Sequence, residues 1–266
     1  MAKQTLYLML DTETTMKNGL VFDAAFELFD RSGNTYEYGS YLFSDVLAIE
    51  EPFYKDKIAQ YWALAFKGKV RPIRFRTFRK IFNDLLMRYL PSYKIVICAY
   101  NAKFDIDHIG KNCKHLLDGA QFLNEKTKNV MFLDLWHAWV QGCPVDYGYF
   151  APFSDKGNLR TNAENVYRYI SEHHNFEEKH IAHSDIVIEK VILMDILRRK
   201  KKLPLVSNPK DFVAMPWKLA QERCKVPIAD RKKKQALMAP VLESIPDLTT
   251  RKGHMTDEPT IVFPRN

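Results

Sequence analysis

Cysteine is scarce in this chain and shows no pairing pattern. The four thiols, Cys98, Cys113, Cys143 and Cys224, are spread over 266 residues with no C-x-x-C spacing, which argues against a zinc site or a secreted disulfide framework. No apolar run approaches the length needed to cross a bilayer. The first ten residues, MAKQTLYLML, meet acids at once and have neither the length nor the small-residue cleavage site of a secretory leader. These absences lead us to expect a reducing, cytoplasmic, non-secreted protein without a membrane partner. No internal repeat is visible. Acid is also in deficit: 32 Asp and Glu against 40 Lys and Arg leave a formal net charge of +8 and a pI near 9.1. That surplus favours polyanionic partners, because cations that neutralise phosphates release condensed counterions.

What is present is enough for a sizeable core, with hydrophobic residues at 46% and aromatics at 13%. Thr5 to Leu10 reads as a strand that stops at Asp11. Gly19 to Phe29 reads as a second strand, Arg31-Ser32-Gly33-Asn34 as a turn, and Tyr36 to Phe43 as the returning strand. Glu51 to Tyr89 changes to helical spacing through Phe78, Ile81, Phe82, Leu85, Leu86 and Tyr89, and Pro91 closes it. Ile95 to Ala99 and Val130 to Leu135 are compact strand candidates, and Thr161 to His173 and Ile186 to Arg199 read as helices. The order predicts an α/β fold, with an antiparallel three-strand meander and further strands in one mixed sheet flanked by helices. Eight prolines after Arg199 and the basic runs Arg198 to Lys202 and Arg231 to Lys234 mark a change of character. We expect a domain over residues 1–202 and a basic, Pro-interrupted extension over 203–266.

Three short patterns carry chemistry. Asp11-Thr12-Glu13 lies where the first strand runs out, and residues two apart on a strand share a face. Two carboxylates there form a hard oxygen site suited to Mg²⁺ or Mn²⁺. Asn101-Ala102-Lys103-Phe104-Asp105 follows the compact strand, where Asp105 either reaches the first pair or caps a helix. His180 precedes Asp185 by five positions at a helix entry, where the acid either joins the same site or offsets the helix dipole.

Taken in order, D-x-E, N-x-x-F-D and H-x-x-x-x-D resemble the motifs of the DEDDh (DnaQ-like) 3′→5′ exonuclease superfamily, over roughly residues 5 to 200. The resemblance implies an RNase H-like sheet and a two-metal mechanism using two Mg²⁺ or Mn²⁺ ions. Asp11 would bridge them, Glu13 and Asp185 would hold the one that activates water, and Asp105 would act on the other. His180 would be the general base. It also implies that the backbone of Thr12 to Thr14 meets the 3′-terminal sugar, that Met16 or Leu20 wedges against the last base, and that Asn101 and Phe104 contact the substrate. The chain departs from the family in reading Thr14-Thr15-Met16-Lys17 where a glycine is common, and in carrying Asp23 where a glutamate is usual in the second strand.

From Lys67 to Lys80 seven basic residues, including Arg71, Arg74 and Arg76, occur without an acid and with Phe66, Phe75 and Phe78 among them. They suit an electrostatic funnel for a single strand or, equally, a solvated helix face; Phe78 reads as core. Trp136, Trp139 and Tyr147 read as packing residues. The leading expectation is hydrolysis of single-stranded DNA to nucleoside 5′-monophosphates. RNA is the alternative substrate, and a noncatalytic polymerase-associated module is the alternative class. The basic runs of the extension suit a further nucleic-acid contact or a replication or repair protein and, equally, a solvated tail.

Overall fold

The computed structural model describes residues 3–142, 160–200, 202–212 and 215–223. In chain order its elements are β1 (Thr5–Thr14), β2 (Val21–Asp30), β3 (Thr35–Phe43), α1 (Ser44–Leu47), α2 (Ile58–Phe66), β4 (Arg71–Ile73), α3 (Phe75–Tyr89), β5 (Lys94–Ala99), α4 (Ala102–Leu116), β6 (Met131–Asp134), α5 (Leu135–Gly142), α6 (Ala163–Ser171), α7 (Ala182–Arg199) and α8 (Pro216–Arg223). The sheet order is β4-β3-β2-β1-β5-β6. Strands β1, β2 and β3 form the expected antiparallel meander, while β5 runs parallel to β1 and β6 parallel to β5.

Alternation along β1 sorts the core into two faces. Leu6, Leu8 and Leu10 pack with Phe75, Phe78, Phe82 and Ile109 on one side. Tyr7 and Met9 pack with Cys98, Trp139, Ile186, Ile192 and Ile196 on the other. The sheet is therefore a middle layer, with α3 and α4 on one face and α5, α6 and α7 on the other. Each apolar side chain buried along β1 contributes about 1.5–3 kcal/mol. Continuing the alternation puts Asp11 and Glu13 on the α7 face. A register shift against β2 between Glu13 and Thr14 bends the strand end where these acids stand.

Three sequence expectations are corrected. First, β1 continues past Asp11 to Thr14, because β2 supplies backbone partners beyond the apolar run. Second, residues 51–89 are not one helical stretch. Between α2 and α3 the chain adds β4, a three-residue edge strand parallel to β3, and Pro72 is tolerated there because an edge strand leaves one N–H side unpaired. Third, α7 begins at Ala182, ahead of the apolar periodicity. Beyond residue 202, Val206 bridges Phe132, and Ala220 of α8 is buried in the α7-side core. Arg198 and Arg199 pair with buried Asp195 at 2.9 and 2.7 Å. Cys98 and Cys113 are buried free thiols; Cys143, Tyr147, Cys224 and the run Arg231 to Lys234 lie outside the described residues. No helix among the described residues is long and apolar enough to cross a membrane.

Candidate active site

The parallel strands β1, β5 and β6 all end at one edge of the sheet, and the acidic motifs gather there. Asp11 and Glu13 come from the end of β1. After β5 the chain turns through Asn101, held in the left-handed region at φ 63°, and enters α4 with Asp105 in its first turn. Asp105 is buried and accepts a hydrogen bond from Thr12 Oγ1 at 2.8 Å. Asp185, in the first turn of α7, accepts from the Ile181 backbone N–H at 2.9 Å and so closes the helix start while facing the cluster. Ligand atoms of Glu13, His180 and Asp185 all lie within 4.8 Å of one another. Beside them opens a cleft of about 360 Å³, lined by Asp11, Thr12, Glu13, Thr14, Phe53, Tyr54, Tyr100, Phe104, Asp105 and His180.

His180 is held in two ways. Its backbone is left-handed at φ 51°, a conformation costing a non-glycine residue roughly 1–2 kcal/mol. Its ring lies flat on Tyr54, with centroids 4.7 Å apart and planes 8° from parallel. Strain retained at a cleft is the pattern expected where geometry serves function. Burial, and then the positive field of Lys57, lower the imidazole pKa against the opposing pull of Glu164. A neutral ring with a lone pair is thereby favoured near neutral pH.

The carboxylates are shifted the other way. Asp11 is pushed well above the usual carboxylate range, first by burial and then by Glu189, Asp185, Asp105 and Glu13. Burial followed by Asp185 raises Glu13 to about 9. Burial raises Asp105 to about 8 despite the Thr12 hydroxyl, and lifts Asp185 well above its ordinary value, aided by Glu178. Asp23, the partner of Glu13 on adjacent β2, is buried, is raised to about 7, and accepts from the Ala182 N–H at 2.9 Å. Such crowding is unfavourable unless protons or cations neutralise it. Asp11 Oδ2 is buried with no hydrogen-bond partner among the described residues. An all-carboxylate set plus one imidazole, with an orphaned oxygen, fits a hard divalent cation.

The other expected residues divide. Thr12, Thr14 and Phe104 line the cleft. Met16, 56% exposed, does not line it. Nor does Asn101, whose backbone N–H donates to Asp134 Oδ1 at 3.2 Å. Arg71, Arg74 and Arg76 are exposed around the β4 edge, three strands from β1, and outside the cleft lining. Trp139 is fully buried, as its packing role predicts.

Sequence reasoning missed Phe53, Tyr54, Tyr100 and Glu189. Phe53 and Tyr54 belong to the segment before α2 and reach the cleft only through the fold, where Tyr54 meets His180, so no local pattern marks them. Glu189 did leave a signal: it stands four residues after Asp185, on the same helix face.

No family model matches the chain, and no curated protein matches it. Among solved structures, E. coli exonuclease I in complex with a dA16 oligonucleotide has the same fold over 74% of this chain, at 16% identity and a TM-score of 0.50. The match spans 41% of the exonuclease I chain. Exonuclease X in complex with 5′ overhanging duplex DNA matches 72% of this chain and 91% of its own, at 15% identity and a TM-score of 0.35.

Proposed function

We propose that this protein is a metal-dependent 3′→5′ exonuclease that releases nucleoside 5′-monophosphates from nucleic acid, with single-stranded DNA as the favoured substrate. One observation carries the reading: acids from β1, α4 and α7 meet beside a strained, ring-stacked histidine at one open cleft. The fold shared with exonuclease I supports it, and so does the order of the motifs, from which the 3′ polarity is taken. A noncatalytic module is disfavoured because all four carboxylates and the histidine are retained.

Asp11, Glu13, Asp105 and Asp185 would hold two Mg²⁺ or Mn²⁺ ions. Bound there, the ions would supply charge neutralisation at the attacking and leaving oxygens of the phosphodiester. The protein's own groups do the rest. His180, kept neutral by burial, takes a proton from the attacking water as that oxygen bonds to phosphorus and the P–O3′ bond breaks; O3′ leaves on the shortened strand and takes its proton from solvent water. Tyr54 fixes the plane of that imidazole. Thr12 orients Asp105 through its hydroxyl, and the Thr12–Thr14 backbone meets the terminal sugar. Phe53 and Phe104 flank the opening as apolar faces for the last bases.

Incubation of purified protein with single-stranded DNA and with RNA, in Mg²⁺, Mn²⁺ or chelator, tests this reading. Metal-dependent release of mononucleotides is the expected result, with DNA turned over faster. Faster release from RNA would transfer the same mechanism to an exoribonuclease. No release from either substrate would overturn the proposal.

A further inference from the structure

Glu189 has no part in the mechanism just given, yet it stands inside the carboxylate cluster. It lies one helical turn after Asp185 on α7, so both side chains leave the same face. Only 3% of it is exposed, and its Oε2 is buried with no hydrogen-bond partner among the described residues. The backbone N–H of Tyr100 donates to the carboxylate. Of the charged groups around Asp11, Glu189 acts on it most strongly. In turn, the charges acting most strongly on Glu189 are Asp105, Glu178 and Asp185, all acids.

Asp11 and Glu189, whose carboxylate charge acts on Asp11, thus each keep one oxygen buried without a donor among the described residues. A buried polar oxygen without a partner is costly. Two such oxygens among acids can be relieved by a shared proton or by a cation. The remaining carboxylates of the cluster supply oxygens of the hard type a divalent ion takes six or more of, so the second answer fits the surroundings better.

We infer that Glu189 is a fifth carboxylate of the metal centre, adding its negative charge and its free oxygen on the α7 side of Asp11. The inference rests on the metal-dependent reading above, and it adds a residue outside the three motifs.

The test is direct titration of Mn²⁺ into wild-type protein and Glu189→Gln, with free Mn²⁺ read by electron paramagnetic resonance. Melting of both proteins in chelator serves as the folding control. Gln keeps the shape and removes the charge, so the variant is expected to melt at or above the wild-type temperature in chelator. Its tightest Mn²⁺ affinity is expected to fall by at least about 10–100-fold, the loss typical of removing even an outer partner of a metal ligand. If Gln does not fold, Glu189→Met, of similar length, takes its place in the same titration. Unchanged Mn²⁺ affinity in the folded variant overturns the inference and leaves Glu189 as the proton partner of Asp11. Wild-type protein that binds no Mn²⁺ overturns the metal-centre reading itself, and is a separate result.

Discussion

Tyr54 lies face to face with His180, their ring centroids 4.7 Å apart. The contact joins the segment ahead of α2 to the turn ahead of α7, and it places an aromatic wall behind the proposed base. Tyr61 adds a second tie from α2, its hydroxyl donating to the His180 carbonyl at 3.4 Å.

Replacing Tyr54 therefore separates positioning from chemistry. Tyr54→Phe retains the stack and is expected to leave turnover close to wild type. Tyr54→Ala is expected to lower kcat by about tenfold, less than the ~10²–10⁴-fold expected for His180→Ala. The pH profile of kcat should also move in Tyr54→Ala, since the ring helps to bury the imidazole. Equal loss in the Phe and Ala variants would show that the hydroxyl, and not the stack, matters.

The metal-free protein should lose stability as pH rises. A carboxyl whose folded pKa is raised binds its proton more tightly in the folded state, so the folded chain holds more protons than the unfolded one. Stability then declines from the ordinary carboxylate range up through the folded values. Those values are about 7 for Asp23 and Glu178, about 8 for Asp105 and about 9 for Glu13. Melting in chelator is expected to fall steadily from about pH 5 to about pH 9, with Mg²⁺ restoring most at the alkaline end. A melting temperature in chelator that is flat across this window contradicts the electrostatic account.

Removing one charge from the cluster should stabilise the fold while ending the reaction. Asp11→Asn is expected to raise the melting temperature in chelator, increasingly as pH rises above the ordinary carboxylate range, because the wild-type carboxyl must take up a proton on folding or bear a buried charge among Glu189, Asp185, Asp105 and Glu13. The same variant is expected to lose turnover. A destabilised Asp11→Asn would mean that the carboxylate is held by a partner in the fold.

Phe53 and Phe104 test the substrate wall. Both line the cleft and both are partly exposed, at 53% and 39%. A base stacked on an aromatic ring contributes about 1–3 kcal/mol. Each Ala substitution is thus expected to raise KM for single-stranded DNA roughly tenfold or more, with kcat less affected. An unchanged KM in both variants would remove these residues from the substrate path.

The first three strands can be read from the chain, because alternation and the Arg31–Asn34 turn are local signals and each strand pairs with the next. The two core strands β5 and β6 announce themselves as compact apolar runs. The strand Arg71-Pro72-Ile73 does not, since three residues carry no periodicity and its pairing with β3 is decided at a distance. The candidate site divides along the same line. Asp11, Glu13, Asp105, His180 and Asp185 stand beside strand ends and helix starts, where short motifs record them. Phe53, Tyr54 and Tyr100 reach the cleft through packing between distant segments. Glu189 sits in the periodic run of α7, where one buried acid among apolar residues passes for a helix surface position.

5′-end-labelled single-stranded DNA incubated with wild-type protein in Mg²⁺, beside Asp11→Asn and a chelated control, with products resolved by length, distinguishes 3′→5′ exonuclease action from every alternative. The expected product is a ladder that shortens one nucleotide at a time while the 5′ label stays on the shrinking strand, absent in both controls. Label released at once as a mononucleotide, internal cuts without a ladder, or an equally active Asp11→Asn would contradict it.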